Sequence, residues 1–105
     1  MLMFTYLLTQ AEMGSRRFLD LTRAICEATM MDGEPHLNEI VDAFRGRRSR
    51  ATVLKSVERA VEQLWLECDH RELGRIRRDW EYDQPTAKEF IIHSSRVFRG
   101  ERALP

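Results

Sequence analysis

The chain has 105 residues, enough for one domain at about 100 to 200 residues per domain, and its 43% hydrophobic content supports a modest core. A two-domain cofactor enzyme is thereby excluded. Seventeen Lys and Arg residues balance seventeen Asp and Glu, so any pull toward nucleic acid or an anionic membrane must come from uneven placement of charge.

The N-terminal stretch Met1 to Leu8 is apolar but lacks a basic leader and falls far short of the roughly 18 apolar residues of a membrane span. Cys26 and Cys68 can form at most one bridge, too few for a disulfide-stapled scaffold. The expectation is a soluble cytoplasmic protein without a membrane partner. It divides into an apolar N-terminal segment over 1–15, a folded domain over 16–98 and a tail over 99–105.

Phe18, Leu21, Thr22, Ile25, Ala28 and Thr29 recur at helical spacing and predict an amphipathic helix over 16–31, ended by Asp32-Gly33. Cys26 lies among these apolar positions and reads as a small buried hydrophobe. Glu34-Pro35-His36 opens a short second helix whose stripe is Leu37, Ile40, Val41 and Phe44. Gly46 interrupts the pattern, and Ser49 is placed to cap a third helix, its hydroxyl accepting from a free backbone N–H. In that helix Leu54, Val57, Val61 and Leu64 form the apolar stripe, while Arg50, Thr52, Lys55, Ser56 and Arg59 fall outside it. Beyond Leu64, Trp65-Leu66-Glu67-Cys68 and Arg78-Asp79-Trp80-Glu81-Tyr82 alternate apolar with polar and predict a β-hairpin around Gly74. Trp65 and Trp80 read as core. Thr86 then caps a closing helix carrying Phe90, Ile91 and Val97 or Phe98.

The charge follows this division. Residues 1–44 hold three basic and seven acidic side chains, residues 45–59 hold six basic side chains against Glu58 alone, and residues 60–105 hold eight against nine. The neutral total therefore conceals a basic segment running through the turn before the third helix and along that helix's first half.

A short helix, a tight turn, a longer helix with a basic start and a basic hairpin form the pattern of a winged helix-turn-helix. Through Leu37-Asn38-Glu39-Ile40-Val41, Ser49-Arg50-Ala51-Thr52-Val53-Leu54, Leu66-Glu67-Cys68, the Arg-rich hairpin loop and Pro85-Thr86-Ala87-Lys88, the chain resembles the MarR-type winged-helix transcription regulators over about residues 16 to 95. Glu89 stands where that family usually has Gly, and Trp65 precedes the first wing strand where Gly is usual. The resemblance implies a mainly α fold: a three-helix core, a small β-hairpin wing and a closing C-terminal helix. It also implies sequence-specific binding of double-stranded DNA by a dimeric bacterial transcription regulator.

On this reading Ser49, Arg50, Thr52, Lys55, Ser56 and Arg59 lie on the recognition helix, where Arg can bond a guanine edge and Ser or Thr can reach bases or phosphates. Arg47 and Arg48 in the turn, and Arg71, Arg75, Arg77 and Arg78 on the wing, would neutralise phosphates or enter a narrow minor groove. Leu2, Phe4, Tyr6, Leu7 and Leu8 are the candidate contact of a homodimer. The alternative is a winged helix that binds another protein without DNA.

No catalytic role is expected. Cys68 and His70 lack the further ligands of a zinc site, and no Gly-rich phosphate loop or nucleophile elbow is present. No metal and no cofactor are expected, and the sequence names no effector ligand.

Overall fold

The fold is that of a computed structural model describing residues 18–103, with side chains described through residue 100. Helix α1 spans Leu19–Met30, α2 Leu37–Asp42, α3 Arg50–Glu67, α4 His70–Leu73 and α5 Ala87–Ala103, with a 3-10 turn over Arg78–Glu81. Helix α1 packs most extensively on α5 and next on α3, while α2 lies against α3 and α1.

Each long helix buries the face its spacing predicts. Leu21, Ala24, Ile25 and Ala28 of α1 enter the core with Phe18 at its N-cap position, and Ile40 and Val41 do so from α2. From α3 come Val53, Val57, Ala60, Val61 and Leu64, and from α5 Phe90, Ile91 and Ile92. Leu54, expected in the stripe, is only partly buried, because the buried face is centred one residue earlier on Val53. Cys26 is exposed, a correction to its expected burial. It lies about 100° around the helix from Ile25, which turns it off the core face.

The predicted caps form. Ser49 Oγ accepts from the Thr52 backbone N–H at 3.1 Å. Thr86 Oγ1 accepts from the Glu89 backbone N–H at 3.2 Å and donates to Glu89 Oε1 at 3.0 Å, so Glu89 holds the capping hydroxyl in place. Helix α5 continues past residue 98. There Arg99 donates from Nε to the Thr29 carbonyl at 2.8 Å and from Nη2 to the Ala28 carbonyl at 2.7 Å and to the Met31 carbonyl, capping the C-terminus of α1.

The β-hairpin wing is not present. Among the described residues there is no strand, and the closing segment is helical and turn-like. Trp65-Leu66-Glu67 continue α3, and the Cys68 N–H bonds the Leu64 carbonyl at 2.9 Å. Leu64 and Cys68, four apart, are both buried while Leu66 between them is 69% exposed. A strand would have put all three on one face. Asp69 then caps the single turn of α4 by accepting from the Arg71 N–H at 2.9 Å. In the second expected strand Trp80 is buried and Tyr82 is 75% exposed, again incompatible with one strand face. The expected wing residues Arg71, Arg75, Arg77 and Arg78 therefore sit on α4, the turn after it and the start of the 3-10 segment.

That segment is held to α5 by aromatic and histidine contacts. Trp80 stacks on Phe90 with ring centroids 5.3 Å apart and meets the edge of His93 at 5.9 Å. Arg77 Nη1 lies 2.6 Å from His93 Nε2. A guanidinium can only donate, so Nε2 is the acceptor and the ring is neutral with its proton on Nδ1. Burial, then the charges of Arg77 and Arg96, hold His93 below the ordinary histidine value of 6.5, against the opposing pull of Glu89 and Glu34.

Two outcomes follow. Nuclear Overhauser spectra are expected to show sequential amide contacts through 64–67 and 78–81 and no cross-strand contacts between 65–68 and 78–82. Because the fold favours neutral His93, its contribution to stability is complete above about pH 6.5 and is lost as pH falls through the lower folded-state value. Denaturant melts of wild type and His93→Gln should then converge as the solution is acidified, since the glutamine can accept from Arg77 but does not titrate.

Candidate functional site

The turn from α2 to α3 is built around two carboxylates. Gly46 takes φ +61°, a conformation that costs a glycine nothing, and the turn closes with the Arg48 N–H on the Arg45 carbonyl at 3.2 Å. Asp20, 8% exposed on the core side of α1, receives Arg48 bidentately at 2.9 and 3.0 Å. Burial alone would raise the Asp20 carboxyl. Hydrogen bonds from Arg48 and Ser56 and the charges of Arg48 and Arg23 bring it below the usual carboxylate range. Arg23 also lies over the Phe44 ring at 5.7 Å.

The second carboxylate is Asp42, the last residue of α2. Arg50 donates to it from Nε at 3.0 Å and Nη2 at 2.5 Å, and Arg45 donates from Nε at 2.9 Å. Hydrogen bonds from Arg50, then from Arg45, hold Asp42 below the ordinary carboxylate value in spite of slight desolvation.

Helix α3 separates its charges by face. Thr52, Lys55, Ser56 and Arg59, with Ala60 and Gln63, line an open groove of about 510 Å³. Glu58 and Glu62 instead line a second recess of about 390 Å³ toward the start of α5, with Leu37, Pro85 and Lys88. The side chains of Arg47, Lys55 and Arg59 make no hydrogen bond or ion pair with another described residue.

The structure thus brings together four of the expected recognition-helix residues, Thr52, Lys55, Ser56 and Arg59. Ser49 is engaged as the α3 cap and bonds Thr52 Oγ1 at 2.7 Å. Arg48 and Arg50 are ion-paired. Of the four arginines expected on a wing, Arg71 pairs with Asp69 at 3.3 Å, Arg75 with Glu72 at 3.5 Å and Arg77 with Asp79 at 3.5 Å. Arg78 is exposed and has no side-chain partner among the described residues. The expected dimer residues Leu2, Phe4, Tyr6, Leu7 and Leu8 lie outside the described residues.

Sequence reasoning missed Asp20, Asp42 and Arg45. Asp20 was legible as a lone carboxylate among the apolar positions of α1, which demands a partner. No local signal marks Asp42 as the meeting point of two arginines.

No three His, Cys, Asp or Glu residues among those described gather to hold a metal, and no described helix is long and apolar enough to cross a membrane. The Cys68 thiol is pushed up to about 11 by burial and by Glu67 and Asp69, so it stays protonated at neutral pH. Compared with known proteins, the chain matches no family model, no curated protein and no solved structure.

Asp20→Ala is expected to cost about 1 to 2 kcal/mol in a urea melt, since it strips Arg48 of its bidentate acceptor, and Asp20→Asn should recover part of the loss. Equal stability of wild type and Asp20→Ala would show that the turn is not anchored there.

Proposed function

We propose that the chain binds double-stranded DNA through the exposed face of α3, as a cytoplasmic transcription regulator with a binding and not a catalytic role. The observation that carries this reading is the segregation of charge on α3. Lys55 and Arg59, with no ion pair among the described residues, stand beside Thr52 and Gln63 on one groove, while Glu58 and Glu62 are turned toward α5. A single helix with one polar, cationic face suits the major groove, about 12 Å wide. The likeness to MarR-type regulators supports it through the α2–turn–α3 pair alone.

In this arrangement Lys55, Arg59 and Arg47 meet backbone phosphates, and Thr52 and Gln63 face base edges. Two copies associated through Leu2, Phe4, Tyr6, Leu7 and Leu8 would present two such helices to a longer, pseudo-palindromic site.

A mobility-shift titration on random duplex DNA across a salt series tests the reading. Three phosphate contacts correspond to a slope of log affinity against log salt of roughly −3. The variant Lys55→Ala/Arg59→Ala is expected to bind roughly tenfold more weakly and to flatten the slope by up to about two units. An absence of salt-dependent binding to duplex DNA by the wild type would leave a protein-interaction role as the better reading.

A further inference from the structure

Two guanidinium groups converging on one accessible carboxylate reproduce the coordination that a phosphodiester would receive. Arg50 presents Nε and Nη2 to the two oxygens of Asp42, and Arg45 adds Nε. The matching fork geometry makes arginine suited to carboxylate and phosphate alike. The side chains are well exposed, at 49% for Arg50, 38% for Arg45 and 35% for Asp42. An incoming anion can therefore reach them without opening the core, and exposed ion pairs of this kind resist exchange only weakly. Asp42 also ends α2, where the helix dipole disfavours a negative charge. The cluster lies at the start of α3, next to Arg47 and on the helix that carries Lys55 and Arg59, none of which is ion-paired with another described residue.

We propose that Arg45 and Arg50 form a phosphodiester-binding site that Asp42 occupies as an internal counter-ion, so that DNA backbone binds there by displacing the carboxylate. The proposal rests on the α3 reading for its ligand but concerns different residues. Asp42 acts as a built-in competitor: it holds two arginines in place and lowers the affinity of the resting protein for polyanions. It also adds Arg45 to the DNA-facing set.

The test compares wild type, Asp42→Asn, Asp83→Asn and Lys55→Ala/Arg59→Ala for binding of a short random-sequence labelled duplex across a salt series, with circular dichroism to confirm folding. Asp83→Asn makes the same unit change of charge at an exposed carboxylate that forms no ion pair with a described residue. Asp42→Asn should bind about threefold tighter or more, with a slope steeper by about one unit, and should exceed Asp83→Asn in both. Adding Arg45→Gln and Arg50→Gln to Asp42→Asn should abolish the gain. Asp42→Ser serves in the same comparison should the asparagine variant fail to fold. An Asp42 variant no tighter than Asp83→Asn overturns the inference, even where wild type binds as proposed. A gain in Asp42→Asn with Lys55→Ala/Arg59→Ala equal to wild type overturns the α3 reading and leaves this site standing. No binding by wild type or Asp42→Asn overturns both.

Discussion

A carboxylate on the core side of a helix must be matched or the helix cannot pack, and Asp20 makes that demand of α1. Its answer comes from outside α1: Arg48 reaches it bidentately from the α2–α3 turn, and Ser56 on the second turn of α3 helps to lower its pKa. One buried group thereby ties three elements at a point. The orientation of α3 follows, since Val53, Val57 and Ala60 must face the core while Arg48, just before the helix, reaches Asp20. Thr52, Lys55 and Arg59 are left on the outer face, where they line a common groove.

The basic segment consequently separates into two populations. Arg48 belongs to the fold, because its charge satisfies a group that would otherwise be buried alone. Arg45 and Arg50 are paired in the open, where water and salt compete for the same atoms, so their engagement with Asp42 is exchangeable. Arg47, Lys55 and Arg59 are unmatched among the described residues. Charge counted along the sequence overstates what the surface offers a partner, because it weights these groups equally.

The sequence carried the helices and their caps because those signals are local. The stripes of α1 to α3, the hydroxyl of Ser49 and the Thr86–Glu89 pair act within a turn or two of their own backbone. The hairpin was misread because alternation over four or five residues does not separate a strand from a helix end. Leu64 and Cys68 satisfy helical spacing, and Trp80 can be buried from a 3-10 turn as readily as from a strand. The ion pairs were less legible still. Asp20 and Arg48 are 28 residues apart and Asp42 and Arg50 eight apart, so pairing depends on how α1, α2 and α3 are packed. The groove inherits this limit: Thr52, Lys55, Ser56 and Arg59 fall outside the apolar stripe in the sequence and line the groove in the fold, but which cations of the basic segment are left without an ion pair among the described residues is a property of the tertiary structure.

The arrangement of charges on α3 also bears on why Lys55 and Arg59 have no ion pair among the described residues. Lys55 and Glu58, and Arg59 and Glu62, are spaced three apart, close enough to pair along a helix surface. The basic residue comes first in each, the order that gives the weaker helical pair, and the acids turn into the recess beside Leu37, Pro85 and Lys88. In the 69–79 segment the reverse holds. Asp69, Glu72 and Asp79 each lie within three residues of Arg71, Arg75 and Arg77 and pair with them, neutralising the turns that stand where a wing was expected. Helix α3 holds Lys55 and Arg59 on one face without an ion pair among the described residues, whereas the following segment sets three of its four arginines beside acids of its own and leaves only Arg78 unpaired among the described residues.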